Sequence, residues 1–233
     1  MKPLLVLSTN RFLFTLVETF KMQKSPKEIF NSYAKQYQDK FMSFDLYHDS
    51  FDLFCKLIKS KNASVLEIGC GPGNITKYLL SKRPDFKLLG IDIAPNMIQL
   101  ARINNPSASF KEMDCKNISE IKLKFDAIIC GFTLPYLTKE EASKLIEDAS
   151  VLLNPNGILY LSTMEDFYSK SKLKSPSSNE SIALFTYYHE ADYLSEFLQK
   201  NNFKILEILR KDYPEQNDDS KDLILIANKL AQP

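Results

Sequence analysis

The chain carries almost no net charge. Thirty Lys and Arg stand against 29 Asp and Glu, leaving +1 over 233 residues. So balanced a composition gives no electrostatic drive toward a polyanion, and nucleic acid and membrane are not expected as main partners. Histidine is scarce, with two residues far apart, and cysteine is limited to positions 55, 70, 115 and 130 without a C-x-x-C pair. A zinc site needs clustered thiolates and imidazoles, so no metal site is expected. The four thiols read as free and at least partly buried, in a reducing, cytoplasmic compartment. Long apolar runs are missing too. MKPLLVLSTNRFLFTLVETFK is apolar-rich, but Asn10 and Arg11 interrupt it. It falls short of the ~20-residue span of a membrane helix, and no A-x-A cleavage site follows. Glycine numbers only six, yet three of them fall at 69, 71 and 73.

What is present suits a soluble fold with one core: 44% of residues are hydrophobic and 25% charged. Residues 1–21 read as a loosely attached extension, because Ser25-Pro26-Lys27-Glu28 then supplies a capping box with Pro at the first helical position. Residues 22–233 read as a single domain. Its expected parts are a helical cap (22–60), a ligand-binding core (61–163), a variable loop or lid (164–189) and a C-terminal helix with two strands (190–233). In the cap, Ile29, Phe30, Tyr33, Tyr37, Phe51, Phe54, Leu57 and Ile58 fall at helical spacing, giving two helices broken near 42–48.

From Val65 onward short apolar strands alternate with helices, so an α/β fold with a mostly parallel sheet and helices on both faces is expected. Asn154–Gly157 reads as a turn before a strand at Ile158–Thr163. Phe203–Arg210 and Asp222–Ala227 have no helix between them and should pair antiparallel. YSKSKLKSPSSNES, residues 168–181, reads as an exposed loop or lid.

The glycines sit in VLEIGCGPGNIT, between a strand and a helix. Open α/β sheets bind ligands at this edge, and glycine lets the backbone approach without a Cβ. A dinucleotide fingerprint would read G-x-G-x-x-G. Here the third glycine comes one residue early, and Glu67 stands two residues ahead of the first. A carboxylate there suits an ammonium or sulfonium better than a pyrophosphate. Asp92 ends the second strand, nineteen residues past Gly73, and can accept from both hydroxyls of a ribose. Asp114 closes the third strand, where it can accept from an adenine amine or cap the next turn. Three acidic residues at three successive strand ends fit an amino-acid tail, a ribose and an adenine. Ile93 and Met97 are placed to flank that adenine or to join the core.

VLEIGCGPGNIT, GIDIAPNMI, EMDC, FDAIICGFTLPYL and LLNPNGILYLST, in this order, resemble a class I S-adenosylmethionine-dependent methyltransferase. The resemblance covers residues 26–230. It implies a Rossmann-like seven-stranded sheet with an antiparallel last strand, and S-adenosylmethionine as the methyl donor. It carries cofactor contacts onto Glu67, Gly69, Gly71, Gly73, Asp92, Asp114 and the region from Cys130 to Phe132. Cys70 and Cys115 fall inside the same motifs, their thiols read as packing. Similar small-molecule enzymes close a tyrosine-rich N-terminal helix over the cofactor, which places Tyr33 and Tyr37 at the site; a plain amphipathic docking helix is the alternative. The segment after strand four lacks the Asn/Asp-Pro-Pro-Tyr tetrad of base and glutamine methylation, so a small-molecule acceptor is favoured. Tyr136, Tyr187 and Tyr188 are candidate acceptor contacts, and His189 the candidate base. An RNA methyltransferase of the same fold, an NAD-dependent oxidoreductase and a non-catalytic binding module remain as alternatives.

Overall fold

A computed structural model describes residues 22–174, 182–214 and 219–231. The expected extension at 1–21 and the middle of the expected lid at 175–181 lie outside the described residues. A seven-stranded sheet organises the chain: β1 (Ser64–Ile68), β2 (Lys87–Asp92), β3 (Ser109–Glu112), β4 (Phe125–Cys130), β5 (Leu153–Glu165), β6 (Phe203–Lys211) and β7 (Lys221–Lys229). Their spatial order is 3-2-1-4-5-7-6. The first five are parallel, and β7 inserts antiparallel between β5 and β6. This is the Rossmann-like sheet with a reversed last strand that the motifs implied.

Both faces of the sheet are covered, which explains why β1 (SVLEI) and β4 (FDAIIC) are mostly apolar, each with one carboxylate. The helices are α1 (Pro26–Ser32), α2 (Ala34–Phe41), α3 (His48–Leu57), α4 (Asn74–Lys82), α5 (Pro95–Asn104), α6 (Lys139–Leu152) and α7 (Ala191–Lys200). On one face Phe51 and Phe54 of α3 and Ile75 and Leu79 of α4 pack on Val65, Ile129, Tyr160 and Ile224. On the other, Leu145 and Ile146 of α6 and Leu194 and Leu198 of α7 pack on Leu66, Ile128, Leu161 and Leu225. Successive strand residues alternate between these clusters, as a pleat requires.

Two capping boxes form: Ser25 with Glu28 opens α1, and Thr138 with Glu141 opens α6. Three expectations need correction. The cap holds three helices, because the chain breaks at Tyr33 (φ −107°, ψ 15°) between α1 and α2. Asn154–Gly157 does not end the strand; β5 runs through it for 13 residues, with Asn156 left-handed at φ 62° and the β4–β5 register shifting beside it. A bulge-like irregularity absorbs the turn-forming residues. Part of the expected lid is also strand. Lys172–Lys174 pairs antiparallel with Ile182–Thr186, and Met22–Gln23 joins the latter in parallel. Among the described residues, no helix is long and apolar enough to cross a membrane.

Candidate functional site

A cavity of about 260 Å³ opens at the carboxyl edge of the sheet. Its floor is built by the ends of four adjacent strands. Gly69 and Gly71 follow β1, Asp92 and Ile93 close β2, Met113–Lys116 follow β3 and Gly131–Thr133 follow β4. Met97 of α5 forms one side. Ser25–Lys27, Phe30 and Tyr37 come from the helical cap, and Tyr136 and Leu137 from the turn beyond β4.

The glycine loop is shaped by what a side chain would meet. Gly69, Gly71 and Gly73 all have positive φ, at 68°, 52° and 82°. A Cβ on Gly69 would overlap Thr133 Oγ1 and lie 3.3 Å from Thr133 Cβ. A Cβ on Gly73 would overlap the Asn105 amide, which itself donates to Gly73 O at 3.0 Å. Gly73 therefore shapes the loop without lining the cavity. Asp92 ties the loop to the second strand. Its Oδ2 accepts from the Gly71 N–H at 2.9 Å and its Oδ1 from the Ala94 N–H at 2.8 Å. Burial raises its pKa, and those backbone bonds oppose the rise. Each carboxylate oxygen keeps a lone pair for a further donor.

Glu67 lies beneath the loop, 1% exposed and outside the cavity lining. Thr76 donates its hydroxyl to Oε2, while Oε1 has no partner. Burial pushes its pKa up to about 8, opposed by the Thr76 bond and reinforced by the nearby Asp92 charge. Because the folded pKa exceeds the unfolded one, the folded chain binds more protons between about pH 4.5 and 8. Stability from this group is complete below that window and falls as pH rises through it. The ligand-free chain is thus expected to lose more urea resistance between pH 6.5 and 8 than a Glu67→Gln variant. Equal pH slopes in the two unfolding series would refute the assignment.

Asp114 caps the next turn, its Oδ1 accepting from Lys116 N at 2.9 Å, and it also lines the cavity. Ile93, Met97, Cys115, Phe132 and Tyr136 line it as well. Phe132 is held left-handed at φ 51°, with its N–H donating to Ser162 Oγ at 3.0 Å. Non-glycine residues in this region are uncommon and cluster at functional sites.

Other candidates are placed elsewhere. Cys70 and Cys130 are buried in the core. Tyr37 lines the cavity but Tyr33, itself the non-helical residue between α1 and α2, does not. Tyr188 is 1% exposed, and Tyr187 stacks on Tyr168 at 5.8 Å; neither reaches the cavity. His189 is fully buried, its Nε2 bonded to Leu134 O at 2.8 Å and its Nδ1 to the Tyr193 hydroxyl. Burial lowers its pKa to about 4. It braces the Leu134–Tyr136 turn instead of facing the cavity.

Phe30, seven residues before Tyr37, is a wall the sequence reading did not select. Its ring meets Tyr136 at 5.0 Å and Tyr37 at 6.0 Å. From Tyr37 an aromatic arc continues through Phe41, Phe44 and Tyr47 to Phe132.

Residues 65–157 match the methyltransferase domain family. A putative methyltransferase, 235L, of Invertebrate iridescent virus 6 is 33% identical over 112 residues, 48% of this chain and 40% of that one. Carboxy-S-adenosyl-L-methionine synthase of Campylobacter jejuni is 29% identical over 192 residues, 77% of each chain. The chain spans less than half the length of the first relatives it matches. Among solved structures, Burkholderia thailandensis 1,6-didemethyltoxoflavin-N1-methyltransferase, with bound 1,6-didemethyltoxoflavin and S-adenosylhomocysteine, superposes with a TM-score of 0.67. It is 19% identical, covering 88% of this chain and 87% of that one, a likeness of fold.

Proposed function

We propose, from the premise that residues 65–157 form a class I S-adenosylmethionine-dependent methyltransferase domain, that the chain moves a methyl group from S-adenosylmethionine to a small molecule. The observation that carries this reading is the arrangement under and around the glycine loop. Glu67, Asp92 and Asp114 stand at three successive strand ends, beside a loop whose Cβ positions are partly excluded. The residues fit the donor. The partnerless Oε1 of Glu67 is the one buried carboxylate oxygen without a hydrogen bond among the described residues, and it suits the cationic end of the ligand. Asp92 would take the ribose hydroxyls, and Asp114, Ile93 and Met97 the adenine.

When bound, the donor supplies a methyl carbon already activated by positive sulfur. The work left to the chain is positioning and exclusion of water. The backbone of Gly69 and Gly71 can approach closely because no side chain intervenes. Phe30, Tyr37, Phe132 and Tyr136 present aromatic surface, which excludes water and favours a nearby cation. No nucleophilic side chain is needed for this chemistry.

Thermal denaturation with S-adenosylhomocysteine and with NAD tests the reading, because a ligand that binds the folded state raises its apparent stability. A rise with S-adenosylhomocysteine alone is expected. A rise with NAD and none with S-adenosylhomocysteine would overturn it.

A further inference from the structure

Phe30, Tyr37, Phe132 and Tyr136 all line the main cavity, and two of these rings carry a hydroxyl. Phe30 touches both tyrosine rings, at 6.0 Å from Tyr37 and 5.0 Å from Tyr136. Phenylalanine would supply the same apolar surface, so the hydroxyls are additional. Among the described residues, neither has a hydrogen-bond partner. The other hydroxyls of the lining are engaged. Ser25 Oγ donates to Glu28 Oε2 at 2.6 Å, and Thr133 Oγ1 donates to Ile68 O at 3.2 Å. Both lysines of the lining are paired, Lys27 with Glu112 at 2.8 Å and Lys116 with Glu141 at 3.2 Å. A phenol that lines a cavity without a protein partner finds its partner in what fills the cavity. Burial pushes the Tyr136 hydroxyl up to about 12 and raises the Tyr37 hydroxyl as well. Among the ionisable neighbours that Tyr37 feels, Tyr136 comes first, ahead of Asp92, Tyr213 and Glu67. Both phenols therefore stay protonated at neutral pH and serve as donors, not as bases.

We propose that Tyr37 and Tyr136 hold the methyl acceptor by donating to a carboxylate on it, so that the chain makes methyl esters of small carboxylic acids. This rests on the methyl-transfer reading above. An acceptor that arrives with a proton on its reacting atom needs a base. The carboxylates of the lining are Asp92 and Asp114, which that reading gives to the ribose and the adenine. Burial keeps the Cys115 thiol protonated, and His189 is bonded to Leu134 O away from the cavity. A carboxylic acid is already ionised above roughly pH 4 and brings no proton to remove. Two neutral donors suit it, because they orient its two oxygens without cancelling the charge that makes it a nucleophile. In the step, one carboxylate oxygen forms a bond to the methyl carbon while the carbon–sulfur bond breaks and its electron pair leaves on sulfur. No proton moves. The anion and the sulfonium become a neutral ester and a neutral thioether. Loss of both charges is favoured between apolar walls, where charge is costly.

The probes are para-fluorobenzoate and para-fluorobenzamide, which share a shape and differ in charge, read by fluorine NMR. With S-adenosylhomocysteine bound, the wild type is expected to bind the benzoate about tenfold or more tightly than the amide. Tyr37→Phe and Tyr136→Phe should each weaken benzoate binding by about tenfold, since each removes a hydrogen bond to a charged group. Each substitution keeps the ring, and thermal denaturation verifies the fold. With radiolabelled S-adenosylmethionine the expected product is the methyl ester. In both variants the loss should fall on the KM for the benzoate more than on the KM for S-adenosylmethionine. Equal binding of benzoate and benzamide would overturn the proposal, as would variants that bind benzoate like the wild type. So would the absence of ester from a chain that binds S-adenosylhomocysteine. A loss borne chiefly by S-adenosylhomocysteine affinity would assign the phenols to the donor and overturn it too. A wild type that does not bind S-adenosylhomocysteine would instead refute the methyl-transfer reading itself.

Discussion

Asp92→Asn is expected to weaken S-adenosylhomocysteine binding on the order of 1000-fold, measured by isothermal titration calorimetry. Two charge-assisted hydrogen bonds to a ribose contribute roughly 3–5 kcal/mol together, and that range corresponds to two to four decades of affinity. The substitution also acts on the ligand-free chain. Asp92 now accepts from both Gly71 and Ala94, and an amide can offer an acceptor to only one of them. The other N–H would then face an N–H₂ group. Glycine-loop geometry should loosen, so part of the loss will appear as lower stability without ligand. An affinity within fivefold of the wild type would show that Asp92 only ties the loop and does not hold the ligand.

The second large effect is expected from Gly69→Ala. The residue has φ 68°, and its new Cβ would overlap Thr133 Oγ1. Thr133 cannot turn away freely, because its hydroxyl donates to Ile68 O at 3.2 Å. Strain of this kind and a buried steric conflict together destabilise by about 3 kcal/mol. For a chain of this size that lowers the melting temperature by roughly 6–12 °C. Thr133→Ala removes the obstructing atom. Combined with Gly69→Ala, it should recover part of the loss, leaving only the backbone strain. Additive effects in this double-mutant cycle would place the conflict elsewhere. Thr133 lines the cavity, so ligand binding should be lost in the single variant before the fold is.

The parts legible in the sequence were those set by local rules. Capping boxes at Ser25 and Thr138, mostly apolar buried strands and the reversed last strand all follow from neighbours in the chain. Gly69, Gly71, Asp92 and Asp114 fall at the cavity because strand ends converge on one edge, and the resemblance placed Phe132 there. Tyr136 and Met97 were found through the same motifs. What the sequence could not show was side-chain direction after a break in phase. Tyr33 lies outside the cavity lining and is itself the non-helical residue between α1 and α2. His189 turned inward because its two ring nitrogens found Leu134 O and Tyr193. The hydrogen bond from the Tyr47 hydroxyl to Asp222 Oδ2 escaped notice because no spacing rule connects residues 175 positions apart. Only the insertion of β7 next to β5 brings them together.

That insertion also bears on how the molecule is made. Every residue lining the main cavity lies between Ser25 and Leu137. β7, by contrast, pairs with β5 on one side and β6 on the other and is the last strand of the chain. On the ribosome, the strands that carry the glycine loop and Asp92 can pair while the C-terminal strands are still unmade. The bond between Tyr47 and Asp222 must wait for the final strand, which closes a long loop at high entropic cost. A nascent chain would therefore complete the strands that line the cavity before β7 completes the sheet. Until β7 docks, β5 and β6 present open edges that chaperones or neighbouring chains could pair with.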